Sequence, residues 1–280
     1  MADISTRWGQ PYDILHVHSS RALQDVQRQV QMAQRRRPII VTLQDWMTSA
    51  EGPSVRLGLD GLGLAGRITV PAAIATVRLI SQGVESQRIR VIPYPVDPAP
   101  VSGSTEQPLL REMVAWRNRG GDVLCAVAHC ATGAHHRVVL EALSMLAHTD
   151  AALCVLAGIV DAAGCLQRAR ELGIQDQVRI AAPGSDARVL ASRADAVILP
   201  GFDERRPFAL AEVWCDGIAV LAGRNAQFAD LDAHGGGTLF YESADAHDLA
   251  RAIATVRNTT IAGRRLLVDR ARTLYRLRFT

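Results

Sequence analysis

The chain has 280 residues, 48% of them hydrophobic and only 5% aromatic, which supplies a sizeable core of Ala, Val, Leu and Ile and excludes a mostly disordered chain or an all-β sandwich. Its 31 basic side chains are all Arg, so Schiff-base, lysine general-base and Walker-type lysine chemistry are excluded. The net charge of +3 is spread along the chain, which argues against a nucleic-acid partner, and five Cys without a CxxC pair point to a reducing compartment rather than a disulfide framework.

In chain order, residues 13–17 read as a short buried strand. It ends in His18-Ser19-Ser20, polar residues suited to a helix start, and a polar helix follows to about Arg36. Arg35, Arg36 and Arg37 suit a helix C-terminus, with a phosphate-binding role as the alternative. Residues 38–42 are a second strand, and Gly at 52, 58, 61, 63 and 66 marks a long loop or broken helix after it. A strand at 67–70, a helix at 72–82 closed by Gly83 and a strand at 89–92 continue a βαβ rhythm. Pro93, Pro95, Pro98, Pro100 and Pro108 then crowd around Ser102-Gly103-Ser104, which predicts a first domain over 1–97, a linker over 98–110 and a second domain over 111–280.

Beyond the linker the spacing predicts strands at 123–127, 152–157, 178–180, 196–199, 219–221 and 238–241. Between them fall helices at 137–147, 162–172, 187–192 and 208–215, and two helices close the chain, giving a doubly wound α/β unit. No apolar run reaches the roughly 20 residues of a membrane span, and the opening Met-Ala-Asp-Ile-Ser has no signal-peptide core. The expected location is cytoplasmic, free or peripheral at the inner membrane face.

In open parallel sheets ligands bind beyond the carboxyl ends of the strands. The richest such segment runs from Ala194 through Leu199-Pro200-Gly-Phe-Asp-Glu204 to Glu212 and Gly217. Glu204 falls in a loop after a strand, and Glu212 lies in the first turns of the next helix. A carboxylate can hold a vicinal diol through two charge-assisted hydrogen bonds, as sugar or ribose recognition requires. Taken alone, the pair is better read as a helix-terminal charge and a surface carboxylate.

With its surroundings, this segment resembles the donor motif of glycosyltransferase family 4, enzymes of the GT-B fold, in which two Glu are separated by seven residues after a strand closing in Leu-Pro. Tyr12-Asp-Ile-Leu-His-Val-His-Ser19 is similar to the family's His-x-His-Ser strand, and Pro38-Ile-Ile-Val-Thr-Leu-Gln-Asp45 to its Thr-x-His-Asp strand. Gly83-Val-Glu-Ser-Gln-Arg-Ile-Arg-Val-Ile-Pro-Tyr-Pro-Val-Asp97 resembles the interdomain passage. The likeness extends over residues 12 to 257 and implies an α/β chain of two Rossmann-like, GT-B-like domains facing a cleft. Only eleven residues precede Tyr12, so the first domain is expected to be abbreviated to about four strands, one edge of which a partner would cover.

The resemblance implies a retaining, hexosyltransferase-type enzyme that takes a UDP or GDP sugar as donor substrate and needs no cofactor or metal. It assigns the donor sugar to Glu204 and the ribose hydroxyls to Glu212, adds Gly133 and His129 to the donor side, and places His18, Ser19 and Asp45 on the acceptor side. Gln44 occupies the position of the acceptor-side His; it keeps a hydrogen bond but cannot carry a proton. The expected partners are the nucleotide-sugar and either a second copy or a heteromeric glycosyltransferase subunit.

Several positions depart from the family pattern. Where the resemblance expects an Arg and a Lys to neutralise the departing diphosphate, the chain has His129 and Ala134. Arg205 and Arg206, next to Glu204, are the first candidates to replace that charge, followed by Arg137 and Arg224. The Gly-Gly-x-x-Glu segment reads Asn225-Ala-Gln-Phe-Ala-Asp230, without the glycines that let a backbone approach a ligand. These losses make a catalytically silent subunit that stabilises an active partner the alternative reading. Weaker constellations add nothing to either. His16 and His18 point one way along a strand but need a third ligand to hold a metal, Asp13 and Ser19 lack a nucleophile elbow, and Gly61-Leu-Gly-Leu-Ala-Gly66 precedes a strand instead of following one.

Overall fold

The computed structural model describes residues 14–18, 38–43, 65–93, 95–96, 108–130, 134–146, 152–159, 161–182, 185–200, 208–233 and 235–279. They belong to two compact units, Met1–Pro93 and Tyr94–Thr280. The helix expected over 20–36, the Arg35–Arg37 run and the glycine-rich stretch before Ala65 lie outside the described residues.

In the first unit the described strands β1 (Leu15–His18), β2 (Ile39–Thr42), β3 (Arg67–Val70) and β4 (Ile89–Val91) form one parallel sheet in the order β1-β2-β3-β4. Their registers sort the side chains cleanly. Val17, Ile39, Val41, Ile68, Val70 and Ile89 share an apolar face, on which α1 (Ala73–Ser81) packs Ala75 and Leu79, one helical turn apart. The opposite face carries Ile40 among the polar His16, His18, Thr42, Arg67, Thr69 and Arg90, so this sheet largely alternates apolar and polar although it is parallel.

The second unit contains α2 (Pro108–Asn118), β5 (Val123–Cys130), α3 (Ala134–Leu146), β6 (Leu153–Ile159), α4 (Ala162–Glu171), β7 (Val178–Ile180) and α5 (Ala187–Ala191). It continues with β8 (Ala196–Leu199), α6 (Phe208–Asp216), β9 (Ala219–Gly223), α7 (Ala226–Leu231), β10 (Leu239–Tyr241), α8 (Ala246–Asn258) and α9 (Ile261–Phe279). The described strands pair in parallel in the order β10-β9-β8-β5-β6-β7. Numbered within the unit and read from the β7 edge, this is the Rossmann order 3-2-1-4-5-6.

Here both sheet faces are apolar, which is why the strands read as continuous hydrophobic runs. Cys125, Val155, Val197 and Val220 face a core shared with α2, α5, α6 and α9. Leu124, Cys154, Ile198 and Leu221 face the core under α3, α4 and α8. Burial pushes the Cys125 thiol up to about 12 and raises that of Cys154 as well, so both behave as small apolar residues.

Three elements differ from the sequence expectation. Residues 108–110, expected in the linker, open helix α2: Pro108 occupies its first position, where a missing N–H costs nothing, and Leu110 and Met113 are buried in the second core. Val96, expected in the first domain, also belongs to the second unit. Its side chain is buried in that core and its carbonyl accepts a 2.8 Å hydrogen bond from the Tyr275 hydroxyl. Helix α7 spans residues whose sequence signalled only the loss of a glycine loop, and Asn225 caps it by accepting from the Phe228 N–H at 2.7 Å.

The N-terminal edge of the second sheet is stapled by carboxylates. Asp195 accepts the Val123 N–H at 2.8 Å and pairs with Arg117 at 3.0 Å, while Asp122 pairs with Arg257 at 2.9 Å.

Candidate functional site

The strand order reverses between β5 and β8, which are neighbours. The chain leaves β5 for α3 on one face of the sheet and leaves β8 for α6 on the other. That divergence opens a crevice at the carboxyl ends of the two strands, where open α/β sheets bind ligands. His129 is the penultimate residue of β5 and Ala134 the first of α3. The residues joining these strand ends to α3 and α6, 131–133 and 201–207, lie outside the described residues, and with them Gly133, Glu204, Arg205 and Arg206.

Beside the crevice is a cavity of about 340 Å³ between α5 and α6. Val127, Ala187, Ala191, Leu199, Ala209 and Val213 form its apolar wall, and Ser185, Asp186, Arg188, Glu212 and Asp216 supply the polar groups. The three alanines project little volume, which leaves room for a ligand between two closely packed helices. Glu212 is thus the sequence-predicted residue that the structure brings to a concave site.

Local chemistry fixes both helices. Asp186 caps α5 by accepting the Arg188 N–H at 2.9 Å. Helix α6 ends immediately after Asp216 because Gly217 adopts φ +70, and the Ile218 N–H then returns to the Val213 carbonyl at 3.3 Å. A side chain at Gly217 would also strike the Arg272 guanidinium of α9. At the end of β9, Gly223 lets the Pro200 carbonyl approach to where a Cβ would stand only 2.5 Å away, which sets the point at which the chain leaves β8.

Sequence reasoning missed Arg188 and Asp216. The Arg188 guanidinium donates from Nε to one Asp216 oxygen at 2.9 Å and from an Nη to the other at 2.7 Å, a bidentate pair joining α5 to α6. The Asp216 carboxylate raises the Arg188 pKa further above its ordinary value, burial opposes this, and the charge of Glu212 adds to the rise. The two residues are 28 apart in sequence, so no spacing rule links them. The only legible signal was that Glu212 and Asp216, four apart on a helix, share a face.

Of the Arg residues expected to stand in for the diphosphate cations that the resemblance implies, Arg224 pairs with Glu242 at 3.1 Å and lies over the Phe240 ring, its centre 5.1 Å from the ring centroid. Arg137 is exposed on α3, and its charge lowers the Glu171 pKa together with closer partners on α4. In the first unit, His18 is exposed at the end of β1, its ring 4.0 Å from that of His16, and the His16 Nε2 bonds the Thr42 hydroxyl at 2.7 Å. Ser19, Gln44 and Asp45 lie outside the described residues.

No helix among the described residues is long and apolar enough to cross a membrane. No group of three or more His, Cys, Asp or Glu that could hold a metal occurs among them.

The fold is shared with solved structures of low sequence identity. HepE of Anabaena, determined in complex with UDP, superposes with a TM-score of 0.78 at 17% identity over 96% of this chain and 75% of that one. Sucrose-phosphate synthase from Thermosynechococcus elongatus gives 0.76 at 16% identity, covering 98% and 71%. A glycosyltransferase from Rickettsia africae gives 0.72 at 17%, covering 96% and 73%. No curated protein sequence matches significantly. The family described as glycosyl transferases group 1 matches residues 116–270, more than half of the chain and most of the unit that carries the crevice, the cavity and Glu212. The chain therefore belongs to the glycosyl transferases group 1, on a GT-B scaffold of parallel, Rossmann-like sheets.

Proposed function

We propose that the protein transfers a hexosyl group from a nucleotide-sugar, a UDP or GDP sugar, to an acceptor with retention of anomeric configuration, as a member of glycosyltransferase family 4. The observation that carries this reading is Glu212 lining the cavity beside the switch point of a Rossmann sheet in a group 1 chain. A carboxylate there accepts two hydrogen bonds from the ribose hydroxyls, which orients the nucleoside against the apolar wall. Glu204, in the segment joining β8 to α6, takes the donor sugar, and Arg205 and Arg206 neutralise the leaving diphosphate, with Gly133 and His129 lining the β5 side. The acceptor is met by His18, Ser19, Gln44 and Asp45 of the first unit. The donor is the only small molecule required, with no cofactor, and the reaction runs in the cytoplasm, free or peripheral at the inner membrane face. A second copy or a heteromeric glycosyltransferase subunit completes the assembly.

One observation favours a second reading. The two positions at which the resemblance expects diphosphate-binding cations hold His129 and Ala134, at the end of β5 and the start of α3. Losing preorganised positive charge from such a site costs about 3 kcal/mol of barrier or more. A catalytically silent subunit that stabilises an active partner accommodates that loss.

Calorimetry of the full chain against UDP, GDP and dTDP separates the two. Binding that Glu212→Ala abolishes supports the donor site, and release of free nucleotide from a UDP or GDP sugar on adding acceptor supports the enzyme. Absence of nucleotide binding, with a stable heteromer recovered from cells, selects the silent subunit.

A further inference from the structure

Arg188 occupies an unusual place in the cavity. It stands on a five-residue helix, α5, and reaches across to the last residue of α6. Its side chain is 23% exposed and that of Asp216 only 10%, so the pair works largely out of water, where a bidentate contact is both strong and geometrically exact in its demand on the two helices. Glu212 stands one turn before Asp216 on the same side of α6, and all three line the cavity. An arginine beside a nucleotide cavity would ordinarily be assigned to phosphate. Here both arms of its fork are already engaged by Asp216. Among the described residues the lining holds three carboxylates, those of Asp186, Glu212 and Asp216, against this one guanidinium, a set that suits hydroxyl donors better than phosphate.

We propose that Arg188 is the positioning residue of the donor site: clamped by Asp216, it fixes α6 against α5 so that the Glu212 carboxylate faces the cavity. This rests on the reading that Glu212 accepts the ribose hydroxyls. An ionised carboxylate offers only acceptors, whereas a protonated one presents a donor where a diol needs an acceptor. The other titratable or charged groups near this constellation among the described residues are Asp186 at the cap of α5, Cys215 on α6 and Arg272 on α9. Removing Arg188 unties α6 from α5 and takes away the positive charge that acts on Glu212, which favours protonation of that carboxylate at higher pH.

The experiment is calorimetry of the full chain with UDP and GDP from about pH 4, near the ordinary carboxylate pKa, to about pH 8, with thermal melting alongside. Arg188→Met is expected to weaken binding of the responding nucleotide by about tenfold or more and to move the acid limb of binding to higher pH. Arg188→Lys, which keeps the charge but not the fork, is expected to hold the acid limb and lose part of the affinity; it also carries the test if Arg188→Met does not fold. The double variant Arg188→Met with Asp216→Leu replaces the ion pair by apolar packing and is expected to recover the melting temperature but not the affinity. Recovery of affinity in the double variant, or an Arg188→Met protein with unchanged affinity and acid limb while Glu212→Gln has lost binding, overturns this inference alone. A Glu212→Gln protein that binds as well as the wild type overturns the donor-site reading, and this inference with it.

Discussion

Both sheets of the protein are parallel, yet they present different surfaces and different opportunities. The described strands of the first unit run in simple order, β1 to β4, with one apolar and one polar face. The second sheet reverses its order between β5 and β8 and is apolar on both faces. Reversal sends successive helices to opposite faces, and only that divergence opens a crevice at the strand ends. The two parallel sheets therefore differ in connectivity as well as in strand composition. The second sheet's two edges differ as well. Carboxylates at its N-terminal edge staple strand starts, whereas at the opposite edge the Arg188–Asp216 pair borders a cavity.

The largest effect that would break this contrast is in the second core. Trp214 on α6 is fully buried and its indole N–H donates to Thr238 at 3.3 Å. Trp214→Ala is expected to destabilise the protein by about 3–5 kcal/mol, read in urea unfolding followed by fluorescence; a change below about 1 kcal/mol would remove the distinction between the cores. Next comes the strand-end glycine. Gly223→Ala places a Cβ against the Pro200 carbonyl and is expected to cost about 1–3 kcal/mol and to weaken nucleotide binding as well. The control in the first unit is Gly83→Ala. There φ is +91 and nothing lies within 4 Å of the new Cβ, so about 1 kcal/mol is expected from backbone conformation alone, with nucleotide affinity unchanged.

A smaller effect tests the two edges of the second sheet. Asp195→Asn weakens the staple at the start of β5 and is expected to cost about 1 kcal/mol in thermal melts while leaving calorimetric nucleotide affinity intact. Loss of affinity would show that the edges are coupled.

The smallest effect concerns the polar face of the first sheet. Partial burial, and then the nearby His18, lower the His16 pKa below its ordinary 6.5. The unfolded chain therefore binds more protons between the folded pKa and 6.5, and stability falls slightly as pH drops through that window, levelling off once His16 is protonated in both states. In an NMR titration, His16 should show a midpoint below 6.5 that moves upward in a His18→Asn variant. A midpoint above 6.5 would contradict the pairing.

Periodicity and turn chemistry carried the strand and helix pattern far. The runs at 152–157 and 196–199 read as strands, and β6 and β8 are strands whose side chains are buried on both faces. Helix α2 was not legible because a proline cluster signals a linker and a helix start alike, and only burial of Leu110 and Met113 separates them. Likewise Val96 reads as part of an interdomain passage until Tyr275, from the far end of the chain, takes its carbonyl.

The amino-acid sequence by itself determined the α/β class and, through the family resemblance, the candidacy of Glu212 and the expectation of basic residues where His129 and Ala134 stand. These follow from local pattern and from the identity of single residues, which need no neighbours to be read. Only the tertiary structure decided that the second sheet reverses, that Glu212 borders a cavity and that Arg188 is gripped by Asp216. Each of these depends on which distant segments pack together. Strand order and the meeting of α5 with α6 are set by burial of both sheet faces at once, a global condition with no local signature in the chain.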